Sequence, residues 1–223
     1  MQFDYDTILT VQSLQKVGRS NKIRVNFDRF EPYIFSLDVI NTFRLEKGKQ
    51  ISFRDVLDAV MLQMVYDAKQ SALRYLERRP HSEKELRQKL AKKNYEPMAI
   101  DSAIDFLKEY NYINDYKYFE DYAQWLADRK YYGRSRVEIE LAKRGANKEA
   151  IAEICDKVFF EREKTEYEFA KKIIDKRKSS INRKEASKRR VYIYNILSRY
   201  GISADVIRKI LEDNKYPGID EIS

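Results

Sequence analysis

The chain has one cysteine and one histidine in 223 residues, and that scarcity removes most catalytic chemistry at the outset. A lone Cys155 cannot form an intramolecular disulfide and fits a reducing cytosol. With His81 it is too little for a zinc set. No nucleophile-and-base pair emerges either. His81 precedes a predicted helix on which Ser82 and Glu85 form a capping box, and Cys155 falls in an apolar column where packing is the simpler role. Glycine and proline are also scarce, six and four. With 43% hydrophobic and 36% charged residues, that composition favours long amphipathic helices with short connections over a loop-rich β fold. No run of 18 apolar residues occurs, so no membrane-spanning helix is expected. The opening MQFDYDTILT lacks a basic segment followed by an apolar one, so no secretory signal is expected and the expected location is cytoplasmic. Residues 18–22 (GRSNK) have neither the length nor the spacing of a phosphate loop. Carboxylates are scattered among lysines as on solvated helix faces, with no clustered set for a metal-dependent nuclease. No cofactor, no metal and no enzymatic activity are expected.

Positive charge, by contrast, is abundant and uneven. The formal net charge is +8. Segments 1–65, 66–115 and 116–165 each carry an excess of one basic residue, whereas 166–223 holds fourteen basic against nine acidic. Residues 171–190 alone hold ten basic and two acidic side chains. An excess concentrated in one place points to a polyanionic partner at that place.

The first third of the chain reads differently from the rest. Residues 22–27 (KIRVNF) alternate polar and apolar, as in a half-buried strand. Tyr33, Phe35 and Leu37 alternate again, and residues 7–14 read as a third strand, with turns at 18–21 and 28–32. A short helix is expected from Asp38, a turn at 45–49, and a helix capped by Ser52 whose apolar positions are Val56, Leu57, Val60, Met61, Met64 and Val65.

From there the sequence repeats. Taking Leu90, Leu141 and Leu197 as anchors, an apolar residue lies four before each: Leu86, Val137 and Ile193. Asn94, Gly145 and Gly201 lie four after, Ile100, Ile151 and Ile207 ten after, and Ile104, Cys155 and Leu211 fourteen after. The i, i+4 apolar pair is one face of a helix. Gly or Asn four residues on suits a left-handed C-cap. The later pair is the buried face of a following helix, for which Asn147 and Ser203 are natural N-caps. Ala72 and Ala123 lie eighteen residues before their anchors, whereas Ala170 lies twenty-seven before Leu197, an insertion of nine inside the basic segment. Each repeat is thus three helices of about 11–12 residues with short links. The expected architecture is mainly α: three tandem three-helix repeats (66–115, 116–165 and 166–223) forming an elongated array, after a small α+β N-terminal domain (1–65) with a short antiparallel sheet. Arrays of this kind usually bind rather than catalyse.

The basic residues form the candidate site. Arg78 and Arg79 lie twelve and eleven residues before Leu90, and Arg129 and Lys130 stand at the same offsets from Leu141. Lys84, Arg87, Arg134 and Arg136 add to these neighbourhoods. The third copy supplies Lys171, Lys172, Lys176, Arg177, Lys178, Arg183, Lys184, Lys188, Arg189 and Arg190. All are expected to contact DNA or a partner. Tyr131, Tyr132, Tyr192 and Tyr194 lie beside them, where an exposed ring could stack on bases, while most of the chain's tyrosines are expected to pack between repeats. For the two loop pairs a solvated helix face explains the residues equally well. For 171–190 nearby acids do not neutralise the charge.

Residues 79–90 (RPHSEKELRQKL), preceded by ALRYL at 72–76, resemble the first-repeat signature of the RecX family. YIND at 112–115, with Phe119, Tyr122, Ala123 and Arg129, does so too. YGRSRV at 132–137, Glu140, Leu141 and KRG at 143–145 resemble the second-repeat motif. NILSRYG at 195–201, with Asp205, Ile207 and Leu211, resembles the third. The resemblance spans about residues 66–213. Asn94 replaces the family's usual Gly, and the third repeat is lengthened. What the resemblance implies is regulation of the RecA recombinase. Family members bind in the helical groove of the RecA–DNA filament and restrain its ATP hydrolysis, strand exchange and co-protease activity, in DNA repair, recombination and the SOS response. The partners so implied are the RecA nucleoprotein filament and single- or double-stranded DNA, with this chain a monomer. A general nucleic-acid-binding protein without a recombinase partner, and an α-repeat scaffold for an acidic protein, remain the alternatives.

Overall fold

The computed structural model describes residues 4–19, 21–160 and 163–213. The chain groups into two compact units, Met1–Pro80 with Leu86–Ile113, and His81–Glu85 with Asn114–Ser223.

In the first unit, strands β1 (Ile8–Lys16), β2 (Lys22–Phe27), β3 (Tyr33–Ser36) and β4 (Gln50–Ser52) form an antiparallel sheet in the order β3-β2-β1-β4. Leu14 faces Val25 and Lys16 faces Ile23 across β1 and β2, with a register shift between Val11 and Ser13. The alternation of the sequence carries through: Leu9, Val11, Val25, Phe27 and Phe35 turn into one core with Val56 and Ala59. Leu37, expected to end the third strand, instead opens helix α1 (Leu37–Thr42), because the Ser36 hydroxyl accepts from the Val39 amide and caps it. Ser52 caps α2 (Phe53–Leu76) in the same way, accepting from the Asp55 amide at 3.1 Å.

Helix α2 runs for 24 residues, about twice the expected length. It passes without a break from the sheet core, at Val56 and Ala59, to a second core, at Ala68 and Ala72. There α3 (Glu83–Ala91) and α4 (Pro97–Glu109) contribute Leu86, Leu90, Ile100, Ile104 and Leu107. Asn94 holds φ +59, the left-handed geometry its column requires.

The second unit contains α5 (Asp115–Lys130), α6 (Arg134–Arg144), α7 (Lys148–Phe159), α8 (Glu163–Asn182), α9 (Ala186–Arg199) and α10 (Ala204–Glu212) around one continuous core. The repeat columns form that core: Val137, Leu141, Cys155, Ile193, Leu197, Ile207 and Leu211 are all buried in it. Asn147 caps α7, its side-chain oxygen accepting from the Ala150 amide at 2.8 Å. Ser203 stands at the N-cap of α10 but turns its hydroxyl to donate to Glu166 Oε2 at 2.7 Å, and Glu166 Oε1 accepts from the Ser203 amide.

One joint recurs in this unit. The left-handed glycine that ends a middle helix touches the first turn of the middle helix one repeat earlier. Gly201 (φ +80) lies against Arg136, and Ser135 Oγ donates to the Gly201 carbonyl at 3.2 Å. Gly145 (φ +104) lies under the stem of Lys84, and Ser82 Oγ donates to the Arg144 carbonyl at 2.8 Å. Glycine serves there both for its backbone freedom and for the space a Cβ would fill. Asn94 belongs to the first copy, which no repeat precedes, so only the backbone requirement remains.

Candidate nucleic-acid interface

The nine-residue insertion lengthens two helices rather than a loop. Ala170 stands twelve residues before the end of α8, whereas Ala123 stands seven before the end of α5. Leu197 stands eleven residues after the start of α9, and Leu141 seven after the start of α6. The α8–α9 hairpin therefore gains about 7 Å on one arm and 6 Å on the other, at 1.5 Å per residue, while its link keeps the three residues seen between α5 and α6. The added turns carry Lys178, Arg183, Lys184, Lys188 and Arg189 within or beside them.

Most of the cations at 171–190 are exposed and make no ion pair among the described residues. Lys171 pairs with Glu168 at 3.1 Å and Lys188 with Glu185 at 2.7 Å. Lys172, Lys176, Lys178, Arg183, Lys184 and Arg190 are exposed and, among the described residues, make no ion pair. Arg183 Nε donates to the Ser179 carbonyl at 3.2 Å, and Arg189 donates to the carbonyls of Lys184 and Asn182 at 3.0 and 3.2 Å. Both satisfy carbonyls at or just beyond the end of α8, where positive charge is favourable.

Aromatic rings underlie the cations on the inner part of the hairpin. Tyr131, in left-handed geometry at the end of α5, lies under Lys176 at 4.5 Å and Lys172 at 5.3 Å and packs on Phe169. Lys184 sits 5.2 Å from the Tyr192 ring. A hydrogen bond with the Tyr200 hydroxyl holds the Arg177 guanidinium above its ordinary pKa. Tyr200 packs edge-on to Tyr132 at 5.6 Å. Tyr131, Tyr132 and Tyr192 are thus half-buried against the core and already covered, which gives them packing roles. Of the four expected tyrosines, Tyr194 is the exposed one, at 47%.

The earlier basic residues divide by partner. Arg134 is held by Glu138 at 2.9 Å and Asp156 at 2.7 Å, and Arg136 by Glu140 at 2.9 Å. Arg87, in the first unit, pairs with Asp101 at 2.5 Å. Lys84 lays its stem over Gly145 and keeps its exposed ammonium in solvent. Arg78 and Arg79 are exposed at the end of α2, and Arg79 donates to the Pro80 carbonyl. Arg129 is exposed and makes no ion pair among the described residues, while Lys130 Nζ stands 5.1 Å from the Trp125 ring. Trp125, 45% exposed, is the residue that reading the sequence missed. Its i, i+4, i+7 spacing with Tyr118 and Tyr122 was the available signal.

Both rare nucleophiles are buried. Cys155 is fully buried on α7, and burial pushes its thiol up to about 11. His81 is buried ahead of α3, where Ser82 Oγ accepts from the Glu85 amide. The arrangement presents a positively charged surface whose chemistry suits a polyanion.

Residues 68–107 match the family model for the first three-helix domain of RecX. The chain is 30% identical over 206 residues to the regulatory protein RecX of Clostridioides difficile, covering 91% of this chain and 94% of that one. It is 33% identical over 191 residues to the regulatory protein RecX of Caldanaerobacter subterraneus, covering 83% and 92%. A crystal structure of a regulatory protein RecX shares the fold with a TM-score of 0.67 and 18% identity, over 91% of this chain and 98% of that one. The crystal structure of RecX from Lactobacillus salivarius superposes with a TM-score of 0.53 and 21% identity, over 66% of this chain and 94% of that one.

Proposed function

The chain belongs to the RecX family of regulatory proteins, and from that membership we propose that it regulates the RecA recombinase by binding the RecA–DNA filament, without catalysing a reaction itself. The observation that carries the DNA half of this reading is the lengthened α8–α9 hairpin, whose exposed lysines and arginines mostly have no carboxylate partner among the described residues. A phosphate backbone meets such a surface favourably because each neutralised phosphate releases condensed counterions. Arg129 and Lys130 extend the same unit's contribution, and Arg78 and Arg79 supply a phosphate contact of their own on the first unit. In this reading Arg134 and Arg136 matter less, since carboxylates already hold them. Regulation is inhibitory: occupancy of the filament slows ATP hydrolysis, strand exchange and co-protease activity.

The test is RecA ATPase on single-stranded DNA, titrated with this protein. A dose-dependent fall in rate supports the reading, and an unchanged rate at saturating protein overturns it. Affinity for DNA alone, measured beside affinity for the filament, separates a filament regulator from a plain nucleic-acid-binding protein. The pure chain incubated with ATP or DNA should turn over neither.

A further inference from the structure

Helix α5 carries a row of aromatic rings that the basic hairpin does not account for. Tyr118, Tyr122 and Trp125 follow one another at i, i+4 and i+7, so they lie on one face of the helix. Their planes are nearly parallel: Tyr118 and Tyr122 are inclined by 9° at 6.2 Å, and Tyr122 and Trp125 by 15° at 5.9 Å. The row grades from protected to open. Tyr118 is held at its hydroxyl by Glu85 and Arg144, the Arg144 guanidinium lies 4.0 Å over Tyr122, and Trp125 ends the row 45% exposed. Cations cluster at the open end. Lys130 Nζ stands 5.1 Å from the Trp125 ring, and Arg129 continues the same face one turn on. The acids of this helix are occupied: Asp115 by the Glu83 amide, Asp121 and Glu120 by Lys117, Glu120 also by Lys157, and Asp128 by Gln124.

We propose that Trp125, backed by Tyr122 and Tyr118 and flanked by Arg129 and Lys130, is a base-stacking subsite for single-stranded nucleic acid. The proposal rests on the DNA contact argued above and adds to it a strand preference. A duplex keeps its bases stacked on one another and offers only phosphates, so the basic hairpin serves either form of DNA. An unpaired strand has free π faces, and an indole already stacked on one side extends its own column by one more ring. The ordered tyrosines keep that indole from collapsing onto the helix, which lowers the entropy lost on stacking. Stacking of a base on an aromatic side chain is tolerant of sequence, because every base has a π face. Lys130, on a flexible stem, moves from the ring to the phosphate of the stacked nucleotide.

Trp125 is the chain's one tryptophan, so its emission reports this site directly. The full chain is titrated with a dye-labelled oligo-dT and with a labelled duplex of equal length. Anisotropy gives binding, and tryptophan emission gives stacking. Expected are binding of both, quenching by oligo-dT that saturates together with anisotropy, and little quenching by the duplex. Trp125→Ala should weaken oligo-dT binding about tenfold or more and leave duplex binding and the salt slope unchanged, while Trp125→Phe keeps most of the affinity. Emission unmoved at saturating oligo-dT, equal quenching by the duplex, or Trp125→Ala binding within about twofold of the parent would overturn the subsite and leave the DNA contact standing. Absence of binding to either DNA by anisotropy would overturn both.

Discussion

At Gly133 the main chain comes so close to a neighbouring repeat that no side chain fits. Its amide donates to the Tyr200 carbonyl at 2.8 Å, and a Cβ there would lie 2.1 Å from the carbonyl oxygen of Gly201. The obstacle is backbone, which cannot rotate away, so Gly133→Ala is expected to destabilise by about 1–3 kcal/mol, the range for overpacking a tight site. Melting should fall by about 2–12 °C, at roughly 2–4 °C per kcal/mol for a chain of this length. Gly48→Ala is the control. Gly48 has φ +88 but nothing within 4 Å of its would-be Cβ, so only the left-handed penalty of about 1–2 kcal/mol applies. Thermal unfolding of both variants, followed by circular dichroism, checks the ordering. A second residue-scale expectation concerns Cys155. With its thiol raised to about 11 by burial, about one molecule in a thousand is thiolate at pH 8, and the thiol should resist Ellman's reagent until the protein is unfolded. Rapid labelling of the native protein would contradict its placement on the buried face of α7.

Among the elements, the α8–α9 hairpin concentrates the charge that sequence reading located at 171–190. The insertion was legible as nine extra residues, but not its form. Two helices each lengthened by about a turn leave no loop signature, since α8 simply continues its amphipathic pattern to Ile181. Strand β4 escaped notice for a related reason. Three residues with one buried side chain, Ile51, are too few to register a period of two. Helix α2 hid its length because its apolar face serves first the sheet and then α4, with neither Gly nor Pro between. The repeat columns, by contrast, were fully legible, since each position packs a core or ends a helix. Trp125 was missed, because its only signal is the i, i+4, i+7 spacing with Tyr118 and Tyr122, which a pattern built on burial does not pick out. The hairpin yields the element-scale prediction. Replacing Lys172, Lys176, Lys178 and Arg183 with Gln removes four cations that make no ion pair among the described residues. Their loss should make the dependence of log K on log salt shallower by about 3 for single-stranded DNA, at 0.7 per phosphate. Fluorescence anisotropy between 50 and 200 mM salt measures it, and an unaltered slope would mark the hairpin charge as ordinary solvated surface.

Taken whole, the second unit cannot be divided at the repeat boundary. Phe169, Ala170, Ile173, Ile193, Leu197 and Ile207 of the third repeat lie in one core with Phe119, Ala123, Val137 and Leu141 of the second. The Gly133–Tyr200 and Ser135–Gly201 hydrogen bonds cross the same boundary. Removing residues 166–223 would therefore uncover the apolar face of α5, α6 and α7, and an uncovered repeat has too little burial to offset the entropy of ordering it. The truncated chain is expected to lose more helix than the deletion itself removes, with much of α5–α7 melting too. Circular dichroism at matched concentration decides the point: a truncated chain that keeps all the helix of its remaining residues would show the second repeat to be self-sufficient. Loss of RecA inhibition by that truncation would then report unfolding rather than a missing contact. The charge-neutralised hairpin avoids the ambiguity, because its substituted side chains are exposed and replacing them removes only surface contacts to Tyr131 and the Ser179 carbonyl, leaving every buried residue in place. It should melt within about 2 °C of the parent yet inhibit RecA ATPase only at severalfold higher concentration, and the deficit should shrink as salt is raised and the parent's own electrostatic advantage is screened. Full inhibition by the neutralised protein at low salt would move the filament contact away from α8 and α9 altogether.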